Sequence, residues 1–276
     1  MIDRNVTGDD STAIIGAPDP RTTLILNTYI DGQRLIGLAQ PTDWSPAGFK
    51  TAACALQTCQ QSLQATRYMV DMSDAQRLMR AIGEANDAVR SENRMRAGHD
   101  HNEAIGIGIS LIVRREKTAT IALMPPSEVI LFQGPTVRWI PELETWTGKP
   151  GGIDGAPLGW SPVPRPTILK TQSEVNDEIA MISQSLAEGL AARHPQIRDS
   201  AELTQALCDL GDASDSGCDD MVAVVTRMEP GSIGRNVRNL PGSLLGNTDR
   251  RARAAWAAFR SAGSPTDENK ESRVSD

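Results

Sequence analysis

Arg34-Leu-Ile-Gly-Leu-Ala-Gln-Pro-Thr-Asp-Trp-Ser-Pro-Ala-Gly-Phe-Lys-Thr-Ala52 reads as an apolar strand that ends at a proline and passes through a short polar turn into a helix. Upstream lies Thr22-Thr-Leu-Ile-Leu-Asn-Thr-Tyr-Ile30, a second strand-like run. The intervening Asp31-Gly32 readily supplies positive φ, so the two runs read as a hairpin. Downstream, Ala, Leu and Cys recur without a breaker from Pro46 to about Thr66, which predicts a helix. A second helix is expected from about Ser73 to Arg94, with Ser73 as its N-cap and Leu78, Ile82, Ala85 and Val89 at helical spacing.

Further strands follow at Ile105–Val113, Thr118–Met124 and Val129–Phe132. Residues 141–166 are rich in Pro, Gly and Trp with no period, and read as a long ordered loop. Glu178–Ser183 is a buried strand candidate, followed by helices at Leu186 to about Arg193 and Ala201 to Leu210, and by a final strand at Met221–Thr226. A strand pair followed by a helix pair, twice over, predicts an α+β fold: a four-layer α-β-β-α sandwich of two antiparallel sheets flanked by helices. The domain is expected to span residues 1–228. Residues 229–276 read as an extended tail with a basic helix at about 249–262 and a disordered C-terminus.

With 276 residues, 39% hydrophobic and 23% charged, the chain has the composition of a soluble globular protein. A net charge of −7 argues against a general nucleic-acid binder, which needs Lys and Arg to neutralise phosphates. No apolar run reaches the roughly 18 residues of a membrane span, and the N-terminus opens with charge rather than an apolar leader, so a cytoplasmic protein is expected. Cys54, Cys59, Cys208 and Cys218 form no CxxC pair and read as free thiols. His99 and His101 flank Asp100 in what reads as a solvated loop, and His194 reads as a surface residue.

The order of elements, together with five short landmarks, resembles the PPM family (type 2C) of metal-dependent Ser/Thr protein phosphatases over about residues 5–228. The family's Ala-Asp-Gly-Met-Gly-Gly-His passage is similar to Ala39-Gln40-Pro41-Thr42-Asp43-Trp44-Ser45, and its Gly-x-Thr-Thr strand to Gly106-Ile-Gly108-Ile-Ser110. Its Val-Gly-Asp-Ser-Arg turn falls on Met124-Pro125-Pro126-Ser127-Glu128. Its Ser-Asp-Gly-Leu passage resembles Ser183-Gln184-Ser185-Leu186, and its closing Asp-Asn and Val-rich strand resembles Asp219-Asp220-Met221-Val-Ala-Val-Val225.

The resemblance implies two Mn²⁺ or Mg²⁺ ions held by aspartates, with a metal-bound water as nucleophile. The implied bridging aspartate is here Gln40, and the glycine whose carbonyl is a ligand is Pro41. Two further aspartates are Pro126 and Gln184, while Asp10 and Asp219 persist. The implied phosphate-holding arginine falls on Asn5, with Arg4 one position off.

These departures lead to the expectation of a bacterial-type pseudophosphatase, with no enzyme activity, no catalytic residue and no cofactor apart from a single weakly held Mg²⁺ or Mn²⁺. The expected role is a protein-interaction, scaffolding or regulatory subunit. The alternatives are an active phosphatase with an atypical metal set, or a sensor that binds a ligand or phosphopeptide. Protein partners are expected to meet Trp146 and Trp160 of the loop and Arg250, Arg251, Arg253, Trp256 and Phe259 of the tail.

Overall fold

The computed structural model describes residues 12–16, 24–30, 32–97, 104–115, 117–140, 156–174, 176–193, 197–203, 205–206 and 222–227. All of them fall within one unit, Met1–Gly231. The tail, Asp10, Asp219, Trp146, Cys208 and Cys218 lie outside the described residues.

The elements run β1 (Thr12–Gly16), β2 (Ile25–Ile30), β3 (Gln33–Pro41), α1 (Pro46–Ala65), α2 (Asp74–Ala97), β4 (Ile107–Arg115), β5 (Thr118–Met124), β6 (Glu128–Gln133), β7 (Thr136–Ile140), β8 (Thr167–Gln172), β9 (Glu178–Ile182), α3 (Gln184–Arg193) and β10 (Val222–Arg227). One antiparallel sheet has the order β1-β10-β9-β6-β7 and the other β2-β3-β4-β5-β8. Gly32, at φ +72°, closes the β2–β3 hairpin with Ile30 opposite Gln33, the conformation that the Asp-Gly dipeptide predicts.

Alternation along each strand builds three apolar layers. On β3 and β4, Leu35, Ala39, Ile107, Ile109 and Leu111 pack against Leu56, Cys59, Ile82 and Val89 of α1 and α2. Their neighbours Ile36, Leu38 and Ile112 face the other way and meet Val129, Leu131, Ile179, Met181 and Val224 between the two sheets. The outer face of the second sheet, with Ile130, Ala180 and Ile182, is covered by Leu186, Ala187 and Leu190 of α3 and by Leu203 and Ala206. These layers make the four-layer α-β-β-α sandwich expected from the sequence. No helix among the described residues is long and apolar enough to cross a membrane.

The two long helices start where local chemistry places them. Ser45 caps α1 by accepting from Gly48 N at 3.2 Å, with Pro46 in the first turn. Ser73 and Gln76 form a reciprocal capping box at the start of α2: Ser73 N donates to Gln76 Oε1 (2.8 Å) and Gln76 N to Ser73 Oγ (3.2 Å).

Three edge strands go beyond what the sequence pattern predicts. β1 is a five-residue edge strand, and β7 follows β6 through the tight Gly134-Pro135 turn. β8 closes the other sheet, pairing with β5.

Candidate functional site

The site begins with alternation on β3. Ile36 and Leu38 face the space between the sheets, so Gln40, two residues further on, faces it too, at the end of the sandwich where β3 stops. Across that space, β9 ends at Ile182 and α3 begins at Gln184. Gln40 Oε1 accepts from the Gln184 backbone N at 2.9 Å, so a side chain of one sheet caps the helix that follows a strand of the other. The Gln184 side chain turns along its own helix and donates from Nε2 to Glu188 Oε1 at 2.9 Å.

Pro41 pairs with Ile107 and Gln40 with Gly108. A β-carbon on Gly108 would stand 2.6 Å from Pro126 Cδ and 3.0 Å from Ser127 N, so glycine there lets the β5–β6 turn close over the strand. Pro126, joined to Pro125 by a cis peptide bond, is thereby brought against the partner of Gln40. The structure therefore gathers Gln40, Pro41, Pro126 and Gln184 at one end of the sandwich. Asp10 and Asp219, the two acids of the same expected set, lie outside the described residues.

This end is polar, and it carries charge: Glu128, 1% exposed, follows Ser127 and pairs with Ile182 just ahead of α3, where Glu188 receives the Gln184 side chain. Gln40 is 2% exposed and its Nε2 has no partner among the described residues. The hydroxyls of Ser110 and Ser127, likewise buried, have none either. Neither serine was among the residues expected at a site. The available signal was a lone hydroxyl inside the apolar run Ile107–Val113, which a buried strand does not need. The first turn of α3 adds the partial positive charge of a helix N-terminus.

A hard divalent cation takes several oxygen ligands, preferably anionic. Gln40 and Gln184 offer neutral amides, one already bonded to a backbone N–H and the other to Glu188. No three His, Cys, Asp or Glu side chains gather as a metal site among the described residues. These donors do not by themselves fit a carboxylate-bridged metal pair.

The loop that carries Trp160 is held beside this end. Thr42 N donates to Gly106 O (2.8 Å), and Gly106 N donates to Thr42 Oγ1 (2.9 Å). The indole of Trp160 lies against Gly106 and donates from Nε1 to Ala104 O at 3.0 Å. Leu158 bridges Ile107. Asn86 of α2 fastens the same loop, accepting from Gly159 N (2.9 Å) and donating to Ser161 O (3.1 Å). Trp160 is thus fixed in place yet 54% exposed, with Val163 at 66% beside it. The other expected partner-binding residues, Trp146, Arg250, Arg251, Arg253, Trp256 and Phe259, lie outside the described residues.

No family model and no curated protein sequence matches this chain. Solved structures do. The serine/threonine phosphatase PstP/Ppp of Mycobacterium tuberculosis aligns at 18% identity and TM-score 0.54, over 79% of this chain and 99% of that one. PppA of Pseudomonas aeruginosa, described as a key regulatory component of T6SS, aligns at 15% and 0.55, over 79% and 97%. The PPM Ser-Thr phosphatase MsPP of Mycobacterium smegmatis aligns at 15% and 0.51, over 79% and 97%. The chain has the PPM phosphatase fold. Two expectations are corrected by this finding. A chain that is no enzyme, with no cofactor apart from a single weakly held Mg²⁺ or Mn²⁺, was expected from the missing aspartates, yet the matching structures are phosphatases, the family whose resemblance implies an Mn²⁺ or Mg²⁺ pair.

Proposed function

We propose that this chain is a cytoplasmic regulatory domain directed at phosphoproteins: it engages a phosphorylated serine or threonine segment of a protein partner at the end of the sandwich where Gln40 meets Gln184. The observation that carries the reading is the 2.9 Å bond from Gln184 N to Gln40 Oε1. It fixes, at the N-terminus of α3, a buried amide whose Nε2 has no partner among the described residues. A helix N-terminus with an unused N–H donor beside it favours an anion. The phosphatase fold supports the same ligand class, and the regulatory role described for PppA supports a regulatory setting. Beside the site, Trp160 and Val163 present fixed apolar surface to the residues that flank the phosphate. Trp146 and the basic segment Arg250, Arg251, Arg253, Trp256 and Phe259 complete the proposed partner contacts.

The matching structures favour a second reading, phosphoester hydrolysis with an atypical metal set that draws on Asp10 and Asp219. One experiment separates the two. A phosphoserine peptide and its unphosphorylated twin are titrated by calorimetry, while phosphate release is followed with and without Mn²⁺. Selective binding of the phosphopeptide that is weakened by Trp160→Ala supports the first reading, and equal binding of both peptides sinks it. Mn²⁺-dependent release abolished by Asp219→Ala establishes the second.

A further inference from the structure

Arg77 sits near the start of α2 and reaches back under the turn that joins α1 to α2. A guanidinium carries five N–H donors and accepts nothing, so each buried N–H needs an oxygen beside it. Nη2 meets that demand twice, donating to Arg67 O at 3.0 Å and to Met69 O at 3.2 Å. Nη1 stands 3.9 Å from Asp74 Oδ1, an ion pair too long to be a hydrogen bond. Nε is buried and has no partner among the described residues. A buried charged donor left unpaired is among the costlier defects a fold can carry, so an acceptor is called for.

A cavity of about 20 Å³ opens against this side chain. Leu35, Leu63 and Val113 wall its apolar side, and Gln33, Asp74 and Arg77 its polar side. One water needs about 10–15 Å³, so the space holds a single water and nothing much larger.

Size alone does not fill a cavity, since a purely apolar one stays dry. Partners decide, and three are present. Arg77 Nε donates. The Asp74 carboxylate accepts, with lone pairs beyond the one that serves Arg115 Nη2 at 3.1 Å. The Gln33 amide, with its oxygen turned to accept from Arg115 Nε at 3.0 Å, keeps its NH₂ as a further donor. A water placed there accepts from Arg77 and Gln33 and donates to Asp74, which is the usual complement of about three bonds for a buried water.

We propose that this cavity is the binding site of one ordered water, which completes the Arg77 clamp. Gln33 opens β3, Asp74 opens α2 and Leu63 belongs to α1, so the water ties together three elements that meet beneath the turn.

The test is an NMR measurement on the ¹⁵N-labelled full chain. The Arg77 Nε–H is expected to give a cross-peak at the water frequency with NOE and ROE of opposite sign, the mark of a held water rather than of proton exchange. Val113→Ile adds a methylene to the apolar wall. It is expected to abolish that cross-peak and to lower the melting temperature, because the water is expelled and the Nε–H is left unsatisfied. No cross-peak in the parent overturns the proposal, and this measurement decides alone if the variant does not fold. A cross-peak that survives in Val113→Ile, or a melting temperature raised as by the filling of a dry cavity, overturns it as well. So does an anomalous bromide peak beside Arg77 Nε in crystals grown from bromide, which would make the occupant an anion.

Discussion

Gln40 shows how one residue decides what an end of a fold can do. Its oxygen serves the first turn of α3, and its nitrogen has no partner among the described residues. Gln40→Met keeps the shape and removes both atoms, leaving the Gln184 N–H without its acceptor. The expected loss is about 1 kcal/mol of stability, less than a full orphaned donor costs because the unused Nε2 goes too. Unchanged stability in a urea melt would mean that the bond contributes nothing. Cys59 is a second informative residue. Burial, and secondarily the Glu84 carboxylate, push its thiol well above its ordinary value of 9.0. The unfolded chain ionises this thiol above that value and the folded chain does not, so its contribution is intact below pH 9.0 and falls as pH rises. Cys59→Ala is therefore expected to flatten the alkaline loss of stability relative to the parent. An identical pH dependence in both proteins would contradict this.

Among the elements, α2 does more than cover a sheet. Asn86 and Asn93 lie two turns apart on one face, and each hydrogen-bonds both ways with the backbone of another segment. Asn93 accepts from Ile105 N (3.1 Å) and donates to Ile105 O (2.9 Å), while Asn86 holds Gly159 and Ser161. Replacing either by alanine strands buried backbone groups and is expected to cost about 2 kcal/mol. The double variant should lose less than the sum, since the two clamped segments also hold each other through Leu158–Ile107 and Trp160–Ala104; a melt showing the full sum would mean that the clamps act independently. None of this was legible in the sequence, where both asparagines look like polar positions on a helix. The helices themselves were legible, because Leu78, Ile82, Ala85 and Val89 repeat at helical spacing and Ser73 marks the start. The edge strands β1, β7 and β8 were not. Edge strands bury one face or less, as β8 shows with three exposed and three half-buried residues, so neither alternation nor an apolar run announces them.

For the whole molecule, two sheets with helices outside follow from the order of strand and helix pairs, and the order of five short landmarks suffices to place Gln40, Pro41, Pro126 and Gln184 at one end. The buried hydroxyls of Ser110 and Ser127, without partners among the described residues, were hidden, because register between strands far apart in sequence decides who faces whom. So was the bond between Gln40 and Gln184, which spans 144 residues. Inferring an absent activity and cofactor from missing aspartates reached further than residue identity allows, since the fold is that of phosphatases. The donor chemistry itself can be tested. Gln40→Asp combined with Gln184→Asp is expected to enlarge the Mn²⁺-induced rise in melting temperature over that of the parent, each tenfold gain in affinity adding about 1.4 kcal/mol. An unchanged response would mean that these positions do not face a cation. The most direct test of the central claim is an NMR titration of the ¹⁵N-labelled full chain with a phosphoserine peptide and its unphosphorylated twin. Engagement at the amide-lined end shifts the Gln184 backbone amide and the Gln40 side-chain amide with the phosphopeptide alone. Identical spectra with both peptides, or shifts that leave Gln40 and Gln184 unmoved, would contradict it.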